Sequence, residues 1–493
     1  MRTVTSLLLA SAAGLAATAG AQAADLPVKA KPVEYVKVCS LYGAGFFYIP
    51  GTDTCIRIGG HIRAETYIGG TNNFGQGWAN NGDGVATGTR DQNLYQFRTR
   101  AYLYHDTRTQ TSYGTLRTYT HVRMEVTSPN GTAGATTGPT LEAAIIQWGG
   151  FTAGRAQTSY MHSPYQSYKY LNLGSPGITD VPSGRNVMAY THQFGNGLSG
   201  TIALEDPKGS TKRGIYNGAL ALTQGVFNPG TDVRGGNSFP DIVGQLRLDQ
   251  AWGGMFLAGV LTNNRVAYDC GQPGGACTDQ STATADKIGG AVNVGFKFNM
   301  PTGKGDAIYL NGGYSVGATS HVFSNIVNGN GFGAYSDRTA ASAANNLTIG
   351  SQTFGYIFDS VYSTVPGQVT GQQLTTAYGG NLAFEHYWNP QWRTSVFGGA
   401  MFLDYNNTAN AILCSKFAVG GGGPGTLSNA GAGCDMDFRV YQVGSRTVWE
   451  PVKDLQFGLE VQYSNLSSKN DGAVFTQAAN NGGRPAGRYI LQD

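Results

Sequence analysis

The segment from Cys55 to Val126 contains a pattern that limits the fold more than any other feature of the sequence. Its three strand-like stretches change side-chain character at every second residue, which is the period of a β-strand. One face of each stretch is apolar, and the other face carries repeated arginines: Arg57, Arg63, Arg98, Arg100, Arg117 and Arg123. Two folds fit this pattern. A soluble sheet would turn the basic face to solvent, whereas a membrane barrel would turn the apolar face to lipid and the polar face to a lumen.

The N-terminus favours the membrane barrel. Met1-Arg2 is followed by an alanine-rich apolar run and then by the small-residue sequence Ala21-Gln22-Ala23. This is the pattern of a secretory signal peptide, so we predict that residues 1–23 are removed after export. The run is short for a transmembrane anchor, which is the alternative interpretation. No later run reaches the roughly 18 apolar residues of a spanning helix, so an exported membrane protein of this sequence would span the membrane with the strands of a closed barrel.

Alternating segments continue to the end of the chain, and sixteen of them can be marked, the last beginning near Arg484. Short connections, such as TRTQ, WGG, GNG and WEPVK, alternate with long ones, such as 158–184 and 318–373. This asymmetry is typical of outer-membrane barrels, whose short turns face the periplasm. We therefore predict an all-β fold: a 16-stranded antiparallel transmembrane β-barrel with short periplasmic turns, long extracellular loops and an inward-folded third loop. Residues 24–54 would form an N-terminal periplasmic segment, and residues 55–493 the barrel.

The cysteines fall into local pairs, which are Cys39 with Cys55, Cys270 with Cys277, and Cys414 with Cys434. After a signal peptide, this pattern predicts disulfides formed in an oxidising compartment, although the sequence alone does not fix their pairing. The alternative is metal binding, but the C-x2-C spacing and paired histidines of zinc sites are missing. We therefore predict no metal site and no cofactor.

A barrel of sixteen strands would enclose a lumen too wide for side chains to fill. The tyrosine-rich third connection, 158–184, is the candidate for narrowing that lumen, although most long loops are surface loops. The residues assigned to this constriction are Tyr160, His162, Tyr165, Tyr168, Lys169 and Asp180. Enzyme motifs such as GxSxG, HExxH and the P-loop are missing. A net charge of +3 without a basic patch argues against nucleic acid as a partner.

Three stretches resemble a known family: VEYVKVCSLYGAGFFYIPGTDTCIRIGGHIRAETY (33–67), RTRAYLYHDTRTQTSYGTLRTY (98–119) and GGFTAGRAQTSY (149–160). They look like the porins of alphaproteobacteria, the family of rhizobial and Brucella porins. The resemblance implies a trimeric general-diffusion porin in the lipid and lipopolysaccharide of the outer membrane, which passes small hydrophilic solutes and ions. It also implies that Gly154-Arg155-Ala156-Gln157 leads into an inward loop that forms an eyelet opposite the six arginines.

The sequence departs from that family pattern in two places. Eyelet loops of such porins usually supply several carboxylates, whereas residues 158–184 contain one acid, Asp180. Because a ring of arginines favours anions, we expect a weak anion preference, reduced by Glu65, Asp106 and Glu125 on the same wall and further by Glu142 and Glu205. The chain also ends in GRYILQD, without the usual terminal aromatic residue.

Two other functions remain open at this point. A tyrosine-lined eyelet with arginines could select a sugar or a phosphate. A surface adhesin built on a barrel is the other alternative, with the long connection 318–373 as its binding part.

Overall fold

A computed structural model describes residues 37–68, 95–128, 135–170, 184–207, 212–220, 232–267, 284–323, 331–336, 348–365, 367–421, 425–477 and 486–492. The predicted signal peptide, Asp180 and the pair Cys270 and Cys277 lie outside the described residues. Within the described ranges, no helix is long and apolar enough to cross a membrane.

The described elements are nearly all strands. In chain order they are β1 (Phe47–Tyr48), β2 (Thr54–Ile68), β3 (Tyr95–Thr111), β4 (Gly114–Ser128), β5 (Ala135–Trp148), β6 (Phe151–Ala156), β7 (Arg185–Gly195), β8 (Leu198–Glu205), β9 (Gly214–Asn217), β10 (Asp241–Gln250), β11 (Gly253–Asn264), β12 (Lys287–Asn299), β13 (Ala307–Val316), β14 (Gly331–Ser336), β15 (Thr348–Tyr356), β16 (Phe358–Ser363), β17 (Thr370–Leu374), β18 (Thr376–Asn389), β19 (Trp392–Asp404), β20 (Thr426–Leu427), β21 (Phe438–Val452), β22 (Leu455–Ser468), β23 (Val474–Gln477) and β24 (Gly487–Leu491). One α-helix, α1 (Asn407–Ser415), and two 3-10 turns, Ser40–Tyr42 and Thr319–His321, complete the described set.

Sixteen strands form one antiparallel sheet in the order β1-β2-β3-β4-β5-β6-β7-β8-β10-β11-β12-β13-β18-β19-β21-β22. Its two ends meet at Tyr170. The backbone N–H of Tyr170 donates to Glu460 on β22 at 2.6 Å, and its carbonyl accepts from Arg63 on β2 at 3.3 Å. The first and last long strands therefore face the same residue, so the sheet is rolled into a barrel.

The two faces of the barrel differ as the alternation predicts. On β2, Ile58 and Ile62 point outward and are 70% and 78% exposed, whereas Arg63 pairs with Glu65 on the inner face. The same outward exposure recurs around the sheet at Phe97, Leu103, Met124, Val126, Val396, Leu459 and Val461. An exposed apolar outer face around a polar interior is the pattern of a membrane barrel.

Adjacent positions in the middle of β2 offer a test of this orientation. Ile62→Arg places a charge on the outer face and is expected to lower the free energy of unfolding in lipid by about 2–4 kcal/mol. The matched control is His61→Arg, since His61 faces the lumen and stacks on Tyr102 at 4.3 Å, where an added charge meets water. Urea unfolding in lipid vesicles measures both values. Equal destabilisation by the two variants would contradict the orientation.

The short connections gather at one end of the barrel, and the long ones at the other. The β7–β8 hairpin turns at Asn196 and Gly197, whose φ angles of 48° and 76° suit the tight turns of two-residue hairpins. The first short turn lies between Thr111 and Gly114, beyond the predicted TRTQ connection (107–110), because β3 continues to Thr111. This extension keeps Arg108 on the inner face of the sheet.

The last predicted strand lies elsewhere. The segment expected from Arg484 is β24, which belongs to a five-stranded sheet of order β14-β15-β24-β23-β20 at the long-loop end, and the short β1 is the sixteenth strand of the main sheet. The physical reason is burial: Tyr489 and Leu491 are both 0% exposed inside an apolar cluster, a position that lipid contact would not give them.

Two of the three predicted disulfides lie within the described residues, and both are present. Cys39 is joined to Cys55, which fastens the segment before the barrel to the start of β2. Cys414 is joined to Cys434 in the connection between β19 and β21. Each bond restricts the conformational freedom of the unfolded chain, and this restriction stabilises the folded state.

Candidate functional site

The six predicted arginines lie together on the inner face of β2, β3 and β4, and we call this surface the arginine wall. The strand register sets like charges across from each other at Arg63 with Arg100 and at Arg108 with Arg117. At other positions it sets opposite charges across from each other, as at Glu65 with Arg98 and Arg100 with Glu125. Directly opposite charges stabilise an antiparallel pair. The wall is therefore a lattice of ion pairs rather than a bare basic surface.

Two carboxylates, Glu65 and Glu125, bind the arginines in the half of the wall that is nearer the long connections. Glu65 pairs with Arg63 on its own strand and accepts a hydrogen bond from Arg98 Nε at 2.8 Å. Glu125 pairs with Arg100 on the neighbouring strand. These contacts fix the guanidinium groups in place and offset much of their charge.

Asp106 binds the arginines in the half of the wall that is nearer the short turns. Its two oxygens accept from Arg117 at 3.0 Å each and from Arg108 at 3.1 and 2.9 Å. The Asp106 side chain is 0% exposed, so two bidentate arginines compensate one buried carboxylate. Arg108 is a wall residue that sequence reasoning missed, because the TRTQ motif was interpreted as a turn.

The remaining wall residues have different partners. Arg123 Nη1 lies 3.1 Å from Glu142 on β5. The Arg57 guanidinium lies over the Phe46 ring at 5.1 Å and the Tyr104 ring at 5.8 Å from the centroids. Among the described side chains of β2 to β5, seven inward arginines thus face four inward carboxylates, and positive charge remains in excess: Arg57, Arg63, Arg98, Arg100, Arg108, Arg117 and Arg123 against Glu65, Asp106, Glu125 and Glu142.

The third connection, which we call the eyelet loop (158–184), enters the barrel from its first residues. Glu205 at the end of β8 accepts from Ser159 Oγ at 2.6 Å, from the Tyr160 backbone N–H at 2.7 Å and from Arg185 at 3.1 Å. The Tyr160 carbonyl then accepts from Gln245 on β10 at 2.7 Å. Glu205 therefore anchors the point at which the loop turns inward.

The loop next follows the inner surface of the barrel strand by strand. Asn293 on β12 donates to the Met161 carbonyl at 3.1 Å. On β13, Asn311 accepts from Ser163 Oγ at 2.6 Å and donates to the Tyr165 carbonyl at 3.3 Å. These inward asparagines take the place of lumen water for the loop backbone.

The last described part of the loop reaches the far side of the barrel. Tyr168 donates its hydroxyl to Asn381 on β18 at 2.7 Å, and its carbonyl accepts from Ser395 on β19 at 2.5 Å. Arg446 on β21 donates to the Ser167 carbonyl at 2.8 Å and to Glu385 at 2.5 Å. Tyr170 completes the path between β22 and β2. Residues 159–170 thus follow the inside of the barrel from β8 to the edge of the arginine wall.

The other predicted eyelet residues lie on this path. His162 donates its backbone N–H to the Ser159 carbonyl at 3.0 Å, and Tyr165 is buried in the cluster that packs the loop on the barrel. Lys169 is partly buried beside Tyr168. The residues that hold the loop, such as Asn293, Ser395 and Arg446, were recognisable only as inward by their alternation, and their pairing with the loop backbone left no signal in the sequence.

A cavity of about 810 Å³ lies between the wall and the loop. Arg108 and Arg117 line one side and Tyr160 another. Uncharged polar side chains complete much of its surface: Gln147, Thr152, Thr191, Gln193, Ser199, Thr201 and Gln245. The cavity lies near the short-turn end and is lined for water and small polar solutes.

Comparison with known proteins gives consistent matches. The family model described as "Porin subfamily" matches residues 25–484. Porin Omp2b of Brucella suis biovar 1 is 33% identical over 395 residues, which cover 76% of this chain and 93% of that protein. Porin Omp2a of Brucella melitensis is 33% identical over 334 residues, 64% of this chain and 75% of that protein.

Among solved structures, the outer membrane channel DcaP of Acinetobacter baumannii aligns with a TM-score of 0.51 at 13% identity, over 90% of this chain and 96% of that one. At that level of identity the likeness concerns the fold alone.

Proposed function

Because this chain belongs to the porin subfamily and is therefore a passive diffusion channel of the outer membrane rather than an enzyme, we propose that its constriction lies between the arginine wall and the eyelet loop. The observation that carries this proposal is the path of residues 159–170. Their backbone is bonded to one strand after another around the inside of the barrel, beginning at Glu205 and ending at the hydrogen bond from Arg63.

The charges of the wall support a weak anion preference. Each wall carboxylate has at least one arginine partner, so most of the positive charge is compensated locally. The excess of three arginines leaves a positive lumen potential, which attracts anions and repels cations. Arg63, Arg108 and Arg117 keep 27–28% of their side-chain surface exposed, so this charge is accessible to passing ions.

We further propose that the channel works as a homotrimer in lipid and lipopolysaccharide, as the resemblance to porins implies. Its solutes would be small hydrophilic molecules and ions. The polar lining of the cavity below the eyelet loop supports this class, because Gln147, Gln193 and Gln245 can exchange hydrogen bonds with water or sugars without binding one ligand tightly.

Liposome swelling with uncharged sugars of increasing size tests the function. We expect swelling rates that fall smoothly with solute size and rise linearly with solute concentration, as passive diffusion requires. A rate that saturates with one sugar or phosphate would instead indicate a substrate-selective channel. Folded protein that produces no swelling would contradict the pore and favour the surface adhesin.

A further inference from the structure

Connections at the long-loop end fold together into a second body, which we call the outer cap. It comprises the described parts of 212–220, 317–374, 405–437 and 469–492, including α1 and two small sheets. An apolar cluster fills it, in which Phe354, Tyr356 and Phe417 are 0–4% exposed. The Cys414–Cys434 disulfide ties one of its segments.

The cap packs against the inside of the barrel. At the outer ends of β19, β21 and β22, the inward positions become apolar: Met401 and Val440 are 0% and Leu466 is 2% exposed. Further down the same inner faces stand Ser395, Arg446 and Glu460, which bond to the eyelet loop. Apolar inward positions suit a surface covered by protein rather than a lumen filled with water.

Direct contacts join the cap to these strand ends. The Phe438 ring on β21 packs against Phe323 with centroids 5.6 Å apart. Gly355 on β15 lies so close to Phe438 that an added Cβ would come within 2.6 Å of its ring. Strand β15 is thus pressed onto the inner surface of β21 and β22.

Asn293 on β12 bridges the cap and the eyelet loop. Asn293 donates to the carbonyl of Met161 in the loop at 3.1 Å and to that of His321 in the cap at 3.3 Å. Asp359 holds the 3-10 turn that contains His321 in place. Its carboxylate accepts hydrogen bonds from the Thr319 N–H and hydroxyl at 2.8 Å each and pairs with Arg234 at 3.3 Å. The Asp359 carboxyl is fully buried, and burial raises its pKa.

We propose that the outer cap closes the outer mouth over β12 to β22 and confines solutes to the side of the barrel that carries the arginine wall. Two observations carry the proposal: the inward residues Met401, Val440 and Leu466 under the cap are at most 2% exposed, and Arg63, toward the outer end of the wall, keeps 28% of its side-chain surface exposed. The cap is therefore a specificity-determining element beside the eyelet loop. This inference rests on the proposed channel function.

Single-channel recording of Phe438→Ala tests the inference. The substitution removes the ring that Gly355 and Phe323 pack against, so the cap loosens and part of the outer mouth opens. We expect conductance to rise about twofold, since conductance follows the open cross-section of the pore, and larger uncharged polymers to enter from the outer side. Phe457→Ala is the control, because Phe457 is an outward-facing aromatic on β22 that is 53% exposed.

A second variant, Cys414→Ser with Cys434→Ser, loosens the cap without a core cavity, and Cys39→Ser with Cys55→Ser is its control outside the cap. Heat-modifiable gel mobility confirms that each barrel is folded. Unchanged conductance and polymer exclusion in both folded cap variants would overturn the inference while wild-type conductance leaves the channel function intact. A silent wild-type protein would instead count against the channel function itself.

Discussion

Glu205→Gln is expected to raise single-channel conductance roughly twofold, because the variant releases the start of the eyelet loop from the barrel wall. Glu205 is fully buried and holds Ser159, Tyr160 and Arg185 at 2.6–3.1 Å. Its ionised form attracts all three donors, whereas the neutral amide also presents an NH₂ group that the same site cannot accept. Removing one partner of a buried pair costs about 3–5 kcal/mol, so the loop anchor is expected to fail before the barrel does.

The matched control is Glu450→Gln. Glu450 pairs with Arg393 at 2.6 Å near the short-turn end and is 38% exposed on its side chain, so its loss leaves the loop in place. Recordings in planar bilayers compare the three proteins after gel mobility has shown that they are folded. A folded Glu205→Gln channel with wild-type conductance would mean that the loop is held elsewhere.

Substituting Arg57, Arg63 and Arg117 together by glutamine is expected to abolish the anion preference, with a chloride-to-potassium permeability ratio that falls to about one. The choice follows the ion pairs. Each wall carboxylate keeps one arginine: Glu65 with Arg98, Asp106 with Arg108, Glu125 with Arg100 and Glu142 with Arg123. The excess charge is removed, and no buried carboxylate is left alone.

A control of equal charge is available outside the lumen. Lys304 and Lys453 are exposed in short turns, and Arg439 lies on the outward side of β21 beside Tyr441. Replacing these three residues by glutamine removes the same net charge and should leave the reversal potential unchanged. The recordings require low salt, because screening weakens the lumen potential at high ionic strength. An anion preference that survives in the wall variant would assign selectivity to other residues.

The alternation of side chains, combined with the signal-peptide pattern and the exchange of short and long connections, was sufficient to predict the barrel and its polar interior. It succeeded because a spanning strand must place apolar residues toward lipid at every second position, as Ile58 and Ile62 do.

The contacts of the eyelet loop could not be predicted in the same way. Its partners Asn311, Ser395 and Arg446 bind backbone carbonyls. Because every residue has a backbone carbonyl, the sequence does not indicate which of them are bonded. The outer cap was missed because its strands pair between segments far apart in the chain, such as β15 with β24. The terminal GRYIL segment alternates like a spanning strand, but burial of Tyr489 in the cap outweighs lipid contact.

We infer that the chain forms an open channel whose selectivity the arginine wall controls. Recording wild-type protein in a planar bilayer under a salt gradient tests it most directly. We predict conductance steps that arrive in groups of three, as a trimer requires, with a reversal potential on the anion side. A reversal potential on the cation side would contradict the role of the wall, and folded protein without conductance would contradict the channel.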